Sequence, residues 1–227
     1  MAGKLENKIA LVTGASRGVG RATVELFAEH GAEVFCPARS LGKLEELKSR
    51  LEKKGARIHI MQADLEKPSD IQGLFEFISD TAEHLDIVVN AAGTFERGRI
   101  DQFEESDFDK VLSINLKAPF LICKHAIPLL LKAGRGTIVN VSSLSGCFGL
   151  QKFEGFGPYD ISKYGLWGLT EILDVELKEK NIRVNQVSPS GVDTEMFQRA
   201  FGPGANAPLD PQDVARVILY LASDESA

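Results

Sequence analysis

A tyrosine and a lysine lie four positions apart in the segment Tyr-Asp-Ile-Ser-Lys, as Tyr159 and Lys163. On an α-helix this spacing places both side chains on one face, one turn apart. A phenol with a pKa near ~10 exchanges protons poorly at neutral pH, but a nearby ammonium group favours the phenolate and lowers that pKa. The pair is common on solvated helices, so it indicates a proton-transfer site only together with the motifs around it.

A glycine-rich turn, Thr-Gly-Ala-Ser-Arg-Gly-Val-Gly, occupies residues 13–20 and follows the first apolar run. Helix N-termini offer free N–H groups and a positive dipole end to phosphates, and glycines let a pyrophosphate approach the backbone. The spacing GxxxGxG departs from the common GxGxxG fingerprint, and a glycine turn without a ligand is the alternative. The strand–turn–helix context favours a dinucleotide site. Its candidate contacts are Gly14, Ser16, Arg17, Gly18, Val19 and Gly20.

The end of the second strand indicates which dinucleotide would bind. A NAD site usually places an acid about twenty residues beyond the glycine turn, on the ribose 2′-hydroxyl. This chain has Phe-Cys-Pro-Ala-Arg-Ser at residues 35–40 and no acid there. Arg39 and Arg17 are suited to clamp a 2′-phosphate, so the sequence predicts NADP(H) over NAD(H). The alternative is that both arginines are ordinary surface charges.

Two further strand ends carry candidate cofactor contacts. Asp64, followed by Leu65, ends the third strand, where its carboxylate suits an adenine amino group; capping a helix is the alternative. Asn90, Ala91 and Gly93 follow the fourth strand. Small residues there would let a flat cofactor lie against the backbone, although they equally suit a tight turn.

Composition excludes several classes of protein. The chain has 227 residues, 44% of them hydrophobic, which is enough for one large domain with a buried core. A net charge of -6 disfavours a nucleic-acid partner. We expect no signal peptide and no membrane span. Three widely spaced cysteines and four scattered histidines indicate reduced thiols in a cytoplasmic protein, with no disulfide and no metal site.

Strand-like and helical patterns alternate along the whole chain. We predict strands at 9–12, 32–36, 58–62, 87–89, 137–141 and 183–187, and helices at 18–30, 41–54, 69–84, 106–131, 158–180 and 211–221. Ser40 and Ser106 are the expected helix caps. The alternation predicts an α/β fold, one domain over 1–227 with a doubly wound parallel sheet and helices on both faces. Residues 201–209 are either a plain connection or a mobile segment beside a site.

The motifs at 14–20, 90–93, Ser143 and Tyr159/Lys163 occur in the order seen in the classical short-chain dehydrogenase/reductase family, which the whole chain resembles. The resemblance implies a single Rossmann-type domain with a seven-stranded sheet and hydride transfer with NAD(P). Its nucleotide half would cover about 1–95 and its catalytic half about 96–227. The commonest relatives with this motif set are 3-oxoacyl-[acyl-carrier-protein] reductases.

The resemblance also implies roles for single residues. Tyr159 would donate the proton in reduction, Lys163 would bind the nicotinamide ribose and lower the tyrosine pKa, and Ser143 would hydrogen-bond the substrate carbonyl. Asn115 would hold a water that relays protons to Lys163, helped by a helix distortion at Pro119; a solvated helix residue is the alternative. Ser142 would be a structural neighbour. Pro189, Val192 and Thr194, after the sixth strand, would contact the cofactor.

Three departures from the family pattern concern the substrate side and the end of the chain. Ser143 and Tyr159 are sixteen residues apart, a few more than usual, and the extra length falls at 149–157. That segment would border the substrate, with Gln151 as a candidate contact. The family's Pro-Gly reads Pro-Ser-Gly at 189–191. The sequence ends at 223–227, where the resemblance implies a seventh strand, so we expect an exposed sheet edge.

The implied reaction is reversible reduction of a carbonyl by NADPH to a secondary alcohol. An at least partly apolar substrate is indicated by a set of mouth residues that could equally be core: Leu144, Cys147, Phe148, Leu150, Phe153 and Phe156. A 3-oxoacyl thioester on an acidic carrier protein would need a basic docking patch, for which the candidates are Lys132, Arg135, Lys178 and Lys180. A sugar, polyol or small ketone is the alternative substrate. A non-catalytic NADP(H)-binding protein is the rival function.

A homo-oligomer, dimer or tetramer, is the expected assembly. The resemblance places the long helix and the Tyr159 helix against another subunit. The apolar candidates on these helices are Ala118, Phe120, Leu121, Ile122, Leu166, Leu169 and Ile172. Packing against the sheet accounts for some of them.

Overall fold

Six parallel strands form one sheet in the order β3-β2-β1-β4-β5-β6. The computed structural model describes residues 3–226. The strands are β1 (Ile9–Val12), β2 (Glu33–Ala38), β3 (Arg57–Gln62), β4 (Ile87–Asn90), β5 (Gly136–Val141) and β6 (Ile182–Val187). The central strands are apolar and buried on both faces, as parallel strands covered by crossover helices must be.

Eight α-helices cover the two faces of the sheet. They are α1 (Gly18–Glu29), α2 (Leu41–Glu52), α3 (Pro68–Thr81), α4 (Glu105–Leu112), α5 (Ala118–Lys132), α6 (Gly157–Leu177), α7 (Glu195–Phe201) and α8 (Pro211–Ala222). Helices α1, α2 and α8 contribute to one buried apolar cluster, and α3, α5 and α6 to the other. The predicted α/β class with a doubly wound parallel sheet is therefore confirmed.

The order of strands reverses between β1 and β4, because the chain winds outward from β1 first to β3 and then to β6. At such a switch point the loops after the two strands diverge and leave a crevice at their carboxyl ends. The glycine turn follows β1 and the segment 90–93 begins at the end of β4. The topology thus brings both motifs to the same crevice.

The segment predicted as one helix at 106–131 is interrupted by a π-helical turn at Ser113–Lys117. Pro119 has no N–H for the carbonyl four residues earlier, on Asn115, and its ring clashes with a regular turn there. Ala118 bonds back to the Ser113 carbonyl, five residues away. The expected distortion is present. The cap prediction is wrong, since Glu104 occupies the N-cap position rather than Ser106.

Smaller differences concern element ends and the number of strands. Ser40 is at the N-cap of α2, but its side chain makes no cap hydrogen bond. Most other element bounds move by one to three residues, within the usual uncertainty of helix and strand ends. Residues 3–226 form six strands, where the resemblance implied seven.

The stretch Glu105–Lys132 matches a membrane span in length and composition, with a hydropathy of 1.3 in its most apolar window. Half of that window is buried within the protein, where α5 packs into the core beneath the sheet. Cys36, Cys123 and Cys147 are free thiols. Within 3–226 no cluster of three or more His, Cys, Asp or Glu side chains is arranged to hold a metal.

Candidate active site

A cavity of about 620 Å³ opens at the carboxyl ends of the strands. Its wall contains most of the residues singled out in the sequence: Gly14, Ser16, Arg17, Gly18, Val19, Gly20, Arg39, Asp64, Leu65, Ala91, Gly93, Ser143, Gln151, Tyr159, Lys163, Pro189, Val192 and Thr194. Residues far apart in sequence therefore share one site. Asn90 and Asn115 are not in the wall.

The glycine turn is shaped so that only glycine fits at two positions. Gly14 has a φ of +70°, and a Cβ there would lie 2.9 Å from the Cα of Ala92. A Cβ on Gly20 would lie 2.3 Å from the carbonyl oxygen of Gly14. Thr13 Oγ1 accepts hydrogen bonds from the N–H groups of Ala91 and Ala92, each at 3.1 Å. The turn is thus locked to the segment after β4, and the N-terminus of α1 faces the cavity.

One end of the cavity carries a cluster of cations. Arg17, Arg39 and Lys43 line it together with Ser40. Glu195, at the start of α7, forms ion pairs with Arg17 at 2.6 Å and with Lys43 at 3.3 Å. The carbonyl of Arg39 accepts from Gln62 Nε2 at 3.0 Å, which fixes the backbone below the exposed guanidinium.

Asp64 lines the same end of the cavity. Its backbone N–H donates to Asp70 at 2.9 Å and its carboxylate accepts from the N–H of Glu66 at 3.3 Å. Helix α3 begins at Pro68 with Lys67 at the N-cap. The alternative in which Asp64 is the helix cap is therefore wrong.

Lys163 is buried beneath the site, with 4% of its surface exposed. Its Nζ donates to the carbonyl of Val141 at 2.9 Å and lies 5.7 Å from the ring centroid of Tyr159. Burial disfavours the ammonium form and lowers the pKa of Lys163 to about 8.

Tyr159 faces the cavity beside Ser143. Burial raises the pKa of Tyr159 to about 12, the negative charge of Asp160 adds to the rise, and a hydrogen bond with Ser143 opposes it. The prediction of a lowered tyrosine pKa is therefore wrong for this structure. The reason is that removing the phenolate from water outweighs the attraction of an ammonium group that is itself desolvated and bonded to a carbonyl. Tyr159 therefore keeps its proton at neutral pH, and the raised pKa by itself makes the phenol a weaker proton donor.

Ser143 follows β5 with extended backbone and lines the cavity. Its Oγ accepts from the N–H of Ser145 at 3.1 Å, which orients the hydroxyl at the strand end. Ser142 is buried, and its hydroxyl donates to the carbonyl of Lys163 at 3.4 Å. Ser142 is therefore a structural neighbour of the site that connects β5 to α6.

Asn115 is fully buried in the π-helical turn, so the solvated alternative is wrong. Its side chain accepts from the N–H of Thr94 at 2.8 Å and donates to the carbonyl of Thr94 at 2.9 Å. It also donates to Ser162 Oγ at 3.0 Å, and Ser162 donates to the carbonyl of Tyr159 at 2.6 Å. Asn115 thereby connects the loop after β4 to the helix that carries Tyr159.

Asn90 lies under the cavity rather than in its wall. Its Nδ2 donates to Asn140 at 2.8 Å, and Asn140 donates to Thr170 at 2.9 Å. This buried chain joins β4, β5 and α6. The side chain of Asn90 thus supports the sheet, and a cofactor contact from it remains a prediction.

The residues that line the substrate side of the cavity differ in part from the apolar set expected from the sequence. Leu144, Leu150, Phe153 and Phe156 line the cavity, whereas Cys147 and Phe148 do not, and Phe148 is 93% exposed. Sequence reasoning missed several wall residues that follow recognised motifs closely: Lys43, Phe95, Glu195, Met196, Phe197 and Phe201. Their nearness in sequence to Arg39, Gly93 and Thr194 was the available signal.

Residues 201–209 are a connection held in place at several points. Leu209 forms a parallel bridge with Val192, in which the N–H of Asp193 donates to the carbonyl of Leu209 at 2.8 Å and the N–H of Leu209 donates to the carbonyl of Gly191 at 3.2 Å. The Gln198 amide bonds to Ala205 at 3.0 Å and to Gly204 at 2.7 Å. These bonds anchor the end of α7 over the cavity.

The family model for short chain dehydrogenases matches residues 8–202. The chain belongs to the short chain dehydrogenase family. It is 34% identical over 99% of its length to a 3-oxoacyl-[acyl-carrier-protein] reductase of Thermotoga maritima, 94% of which is covered. Short chain dehydrogenases are oxidoreductases, so the glycine turn and the Ser143–Tyr159–Lys163 cluster belong to a fold that carries out dehydrogenase chemistry.

Solved structures of other short chain dehydrogenases share the fold. A candidate NAD(P)-dependent gluconate 5-dehydrogenase of Beutenbergia cavernae, with bound NADP, superposes with a TM-score of 0.88 at 26% identity, covering 98% of this chain and 92% of its own. Carveol dehydrogenase of Mycobacterium avium, in complex with NAD, gives 0.89 at 26% identity, covering 99% and 94%. The family thus binds NAD(P), and its members differ in cofactor and in substrate.

Proposed function

We propose that this chain is a single-domain, NADPH-dependent reductase that converts a ketone to a secondary alcohol reversibly, with Tyr159 as general acid. The observation that carries the proposal is the convergence of Ser143, Tyr159 and Lys163 on one cavity that also contains the glycine turn and three cations. A protein that only bound NADP(H) would have no use for a phenol placed beside a serine hydroxyl and a buried lysine.

The reaction balances on the groups present. The carbonyl carbon would accept a hydride, that is, two electrons and a proton, from bound NADPH, which leaves as NADP⁺. Tyr159 would give its proton to the carbonyl oxygen, and Ser143 would donate a hydrogen bond to that oxygen as negative charge develops there. Lys163 would supply positive charge beneath the phenol when the proton leaves. Asn115 would hold the loop after β4 and the helix that carries Tyr159 in position relative to each other.

The cavity fits a dinucleotide with a 2′-phosphate. The glycine turn and the N-terminus of α1 would hold the pyrophosphate, because they line the cavity and the first N–H groups of a helix bind phosphates. Arg17, Arg39 and Lys43 would hold the 2′-phosphate, and Asp64 the adenine amino group. Ala91, Gly93, Pro189, Val192 and Thr194 would lie along the nicotinamide half. NADP in one related structure and NAD in another support the cofactor class, and the cations support NADPH.

A 3-oxoacyl thioester on a carrier protein is supported by the name of the Thermotoga maritima relative. The residues suggested for carrier docking do not strengthen this option. Lys132 and Arg135 precede β5, and Lys178 and Lys180 precede β6, so all four lie at the amino ends of strands whose carboxyl ends form the cavity. Arg135 is also paired with Asp224 at 3.0 Å. Within one protomer a carrier bound there would be at the opposite edge of the sheet.

We also propose a homo-oligomer that covers α5 and α6. Ala118, Ile122 and Leu166 are buried in the protomer and are not available for an interface. Phe120 and Ile172 are 53% and 51% exposed, and Val175 is 72% exposed. Apolar side chains at such exposure on two long helices are typical of a subunit interface. The free thiols suit a reducing compartment such as the cytoplasm.

The test is NADPH oxidation by a panel of ketones, followed through the absorbance of the reduced nicotinamide. We expect Tyr159→Phe to lower kcat by about 10²–10⁴-fold, the range for a lost general acid, while NADPH affinity measured by fluorescence stays within a few-fold. Tyr220→Phe is the matched control, because Tyr220 is exposed on α8 and outside the cavity wall. Full turnover by Tyr159→Phe would rule out the mechanism.

A further inference from the structure

We propose that the substrate is an uncharged ketone with a compact apolar body, such as an alicyclic or aromatic ring, and not a sugar acid or a long-chain thioester. The inference rests on the proposed ketone reduction and concerns the space next to Tyr159. That space is enclosed by a set of five phenylalanines, here called the aromatic chamber: Phe95, Phe153, Phe156, Phe197 and Phe201.

The aromatic chamber is continuous with the reacting tyrosine. The ring of Phe95 meets Tyr159 edge-on at 5.5 Å between centroids and Phe156 at 4.7 Å. Phe201 lies 5.5 Å from Phe156, 5.8 Å from Phe153 and 4.7 Å from Phe197. Edge-to-face and tilted contacts of this kind favour a fixed arrangement of the rings. A carbonyl that reaches Tyr159 and Ser143 therefore places the rest of its molecule among aromatic side chains.

Charges are distributed unevenly along the described cavity wall. Five charged side chains of the wall lie at the glycine turn, at the ends of β2 and β3, or in contact with these segments. They are Arg17, Arg39, Lys43, Asp64 and Glu195. Lys163 is the remaining one and lies beneath Tyr159. Among the charged residues of the described cavity wall, a substrate carboxylate in the aromatic chamber would have only Lys163 beside it. Arg97 lies 5.9 Å from the ring of Phe156 but is outside that wall and donates to the carbonyl of Ala200. Burying a charge that is not paired is strongly unfavourable.

Binding a polyol in the aromatic chamber would also be unfavourable, because few polar side chains are available to its hydroxyl groups. The serine and glutamine side chains of the wall outside the glycine turn and the cation cluster are Ser142, Ser143, Ser145, Gln151 and Ser190. Ser142 is buried and donates to the carbonyl of Lys163, and Ser143 is already assigned to the reacting carbonyl. Each buried hydroxyl without a partner costs about 1–3 kcal/mol. The chamber therefore selects against polyhydroxylated substrates and for apolar surface.

The outer wall of the chamber is tied together, which favours a compact substrate over a long chain. Arg97 donates to the carbonyl of Ala200 at 2.9 Å and lies 5.9 Å above the ring of Phe156. The N–H of Gly98 donates to the carbonyl of Gly155 at 3.1 Å. The loop after β4, the segment 149–157 and α7 are thereby joined around the space. These contacts limit how far the three segments can separate around an extended acyl chain.

The test compares cyclohexanone and acetophenone with a keto sugar acid and a 3-oxoacyl thioester, each with NADPH. We expect the two ring ketones to show kcat/KM at least 100-fold higher than the other two. Phe153→Ser and Phe201→Ser should each lower kcat/KM for ring ketones about 10-fold or more, as expected when apolar contact with a substrate is lost. Both residues are near half-exposed, at 44% and 45%, so the variants should fold.

Phe148→Ser is the matched control, because Phe148 precedes the same segment, is 93% exposed and is outside the cavity wall. It should leave kcat/KM for every ketone unchanged. A preference for the sugar acid or the thioester, or an equal effect of Phe148→Ser, would overturn the inference while leaving the reductase proposal intact.

A second readout does not depend on turnover. Calorimetric binding of acetophenone to the NADPH-loaded Tyr159→Phe variant should be detectable, and adding Phe201→Ser should weaken it about 10-fold. If no ketone is reduced by the unmodified enzyme but acetophenone binds as described, the proposed reaction and the ketone substrate both fail, and only the preference of the chamber for compact apolar rings is supported. If acetophenone does not bind, the chamber inference fails.

Discussion

Lys163 donates a hydrogen bond from Nζ to the carbonyl oxygen of Val141 at 2.9 Å, and Val141 is the last residue of β5. The bond anchors the α6 lysine to the strand that delivers Ser143. It also holds the ammonium nitrogen 5.7 Å from the centroid of the Tyr159 ring. The proposed catalytic group of Ser143, Tyr159 and Lys163 is therefore tied to the sheet, and burial is the main cause of the pKa shifts of Tyr159 and Lys163.

The lowered pKa of Lys163 predicts a stability that depends on pH. Free lysine titrates at 10.5 and the buried one at about 8, so between these values the unfolded chain binds more protons and the free energy of unfolding rises with pH. The rise is on the order of 3 kcal/mol, at about 1.4 kcal/mol per pKa unit. Lys163→Met should remove it. Chemical unfolding of both proteins from pH 7 to 10 measures the difference, with exposed Lys124→Met as the control; a variant that keeps the rise would contradict the assignment.

Reversing the charge at Arg39 should separate the two cofactors. Arg39→Asp removes a cation from the proposed 2′-phosphate site and adds a like charge, so NADPH binding should weaken about 10–100-fold while NADH binding changes little. Titration of each cofactor by nicotinamide fluorescence gives both constants. Arg216→Asp, on exposed α8 surface, should alter neither. Equal losses for NADPH and NADH would show that Arg39 does not face a phosphate.

Glu195 should compete with the cofactor phosphate. Its carboxylate pairs with Arg17 at 2.6 Å and with Lys43 at 3.3 Å, and this attraction lowers the pKa of Glu195, with the Arg17 hydrogen bond as the main cause. Glu195→Gln should tighten NADPH binding by a few-fold, as expected for loss of an exposed ion pair, without affecting NADH. Added salt should reduce the difference in NADPH affinity between Glu195→Gln and the unmodified protein. If NADPH bound more weakly to Glu195→Gln, the carboxylate would be a support for the site instead.

Removing the Asn115 amide should destabilise the fold. Asn115→Leu would leave the N–H and the carbonyl of Thr94 buried without partners, at about 1–3 kcal/mol each. Urea unfolding should show this loss, while Asn206→Leu in an exposed loop should show almost none. Ser162→Ala removes the hydrogen bond from Asn115 and the one to the carbonyl of Tyr159 but leaves both bonds to Thr94, so it should cost less. A stability unchanged in Asn115→Leu would mean that Thr94 finds other partners.

The sequence was sufficient to predict those structural features that depend on a single segment of the chain. The six strands, most of the helices and the glycine turn follow from apolar periodicity and from the steric needs of residues such as Gly14 and Gly20. The short helix α7 was not predicted. The distortion near Pro119 follows from its missing N–H. The cap at Ser106 failed because a serine side chain can cap only if the chain enters the helix at that residue, and the preceding loop decides this.

The sequence alone indicated the α/β architecture through its alternating periodicity, a site at the strand ends through the glycine turn, and the pair Tyr159 and Lys163 through its spacing on one helix. Ser143 was added to that pair by the family resemblance. Only the tertiary structure decided how those groups titrate and what surrounds them. The phenol pKa rises because several segments exclude water from it, and the aromatic chamber joins Phe95, Phe156 and Phe201 from three separate segments. Burial and contact between distant segments arise from packing, which spacing along the chain does not encode.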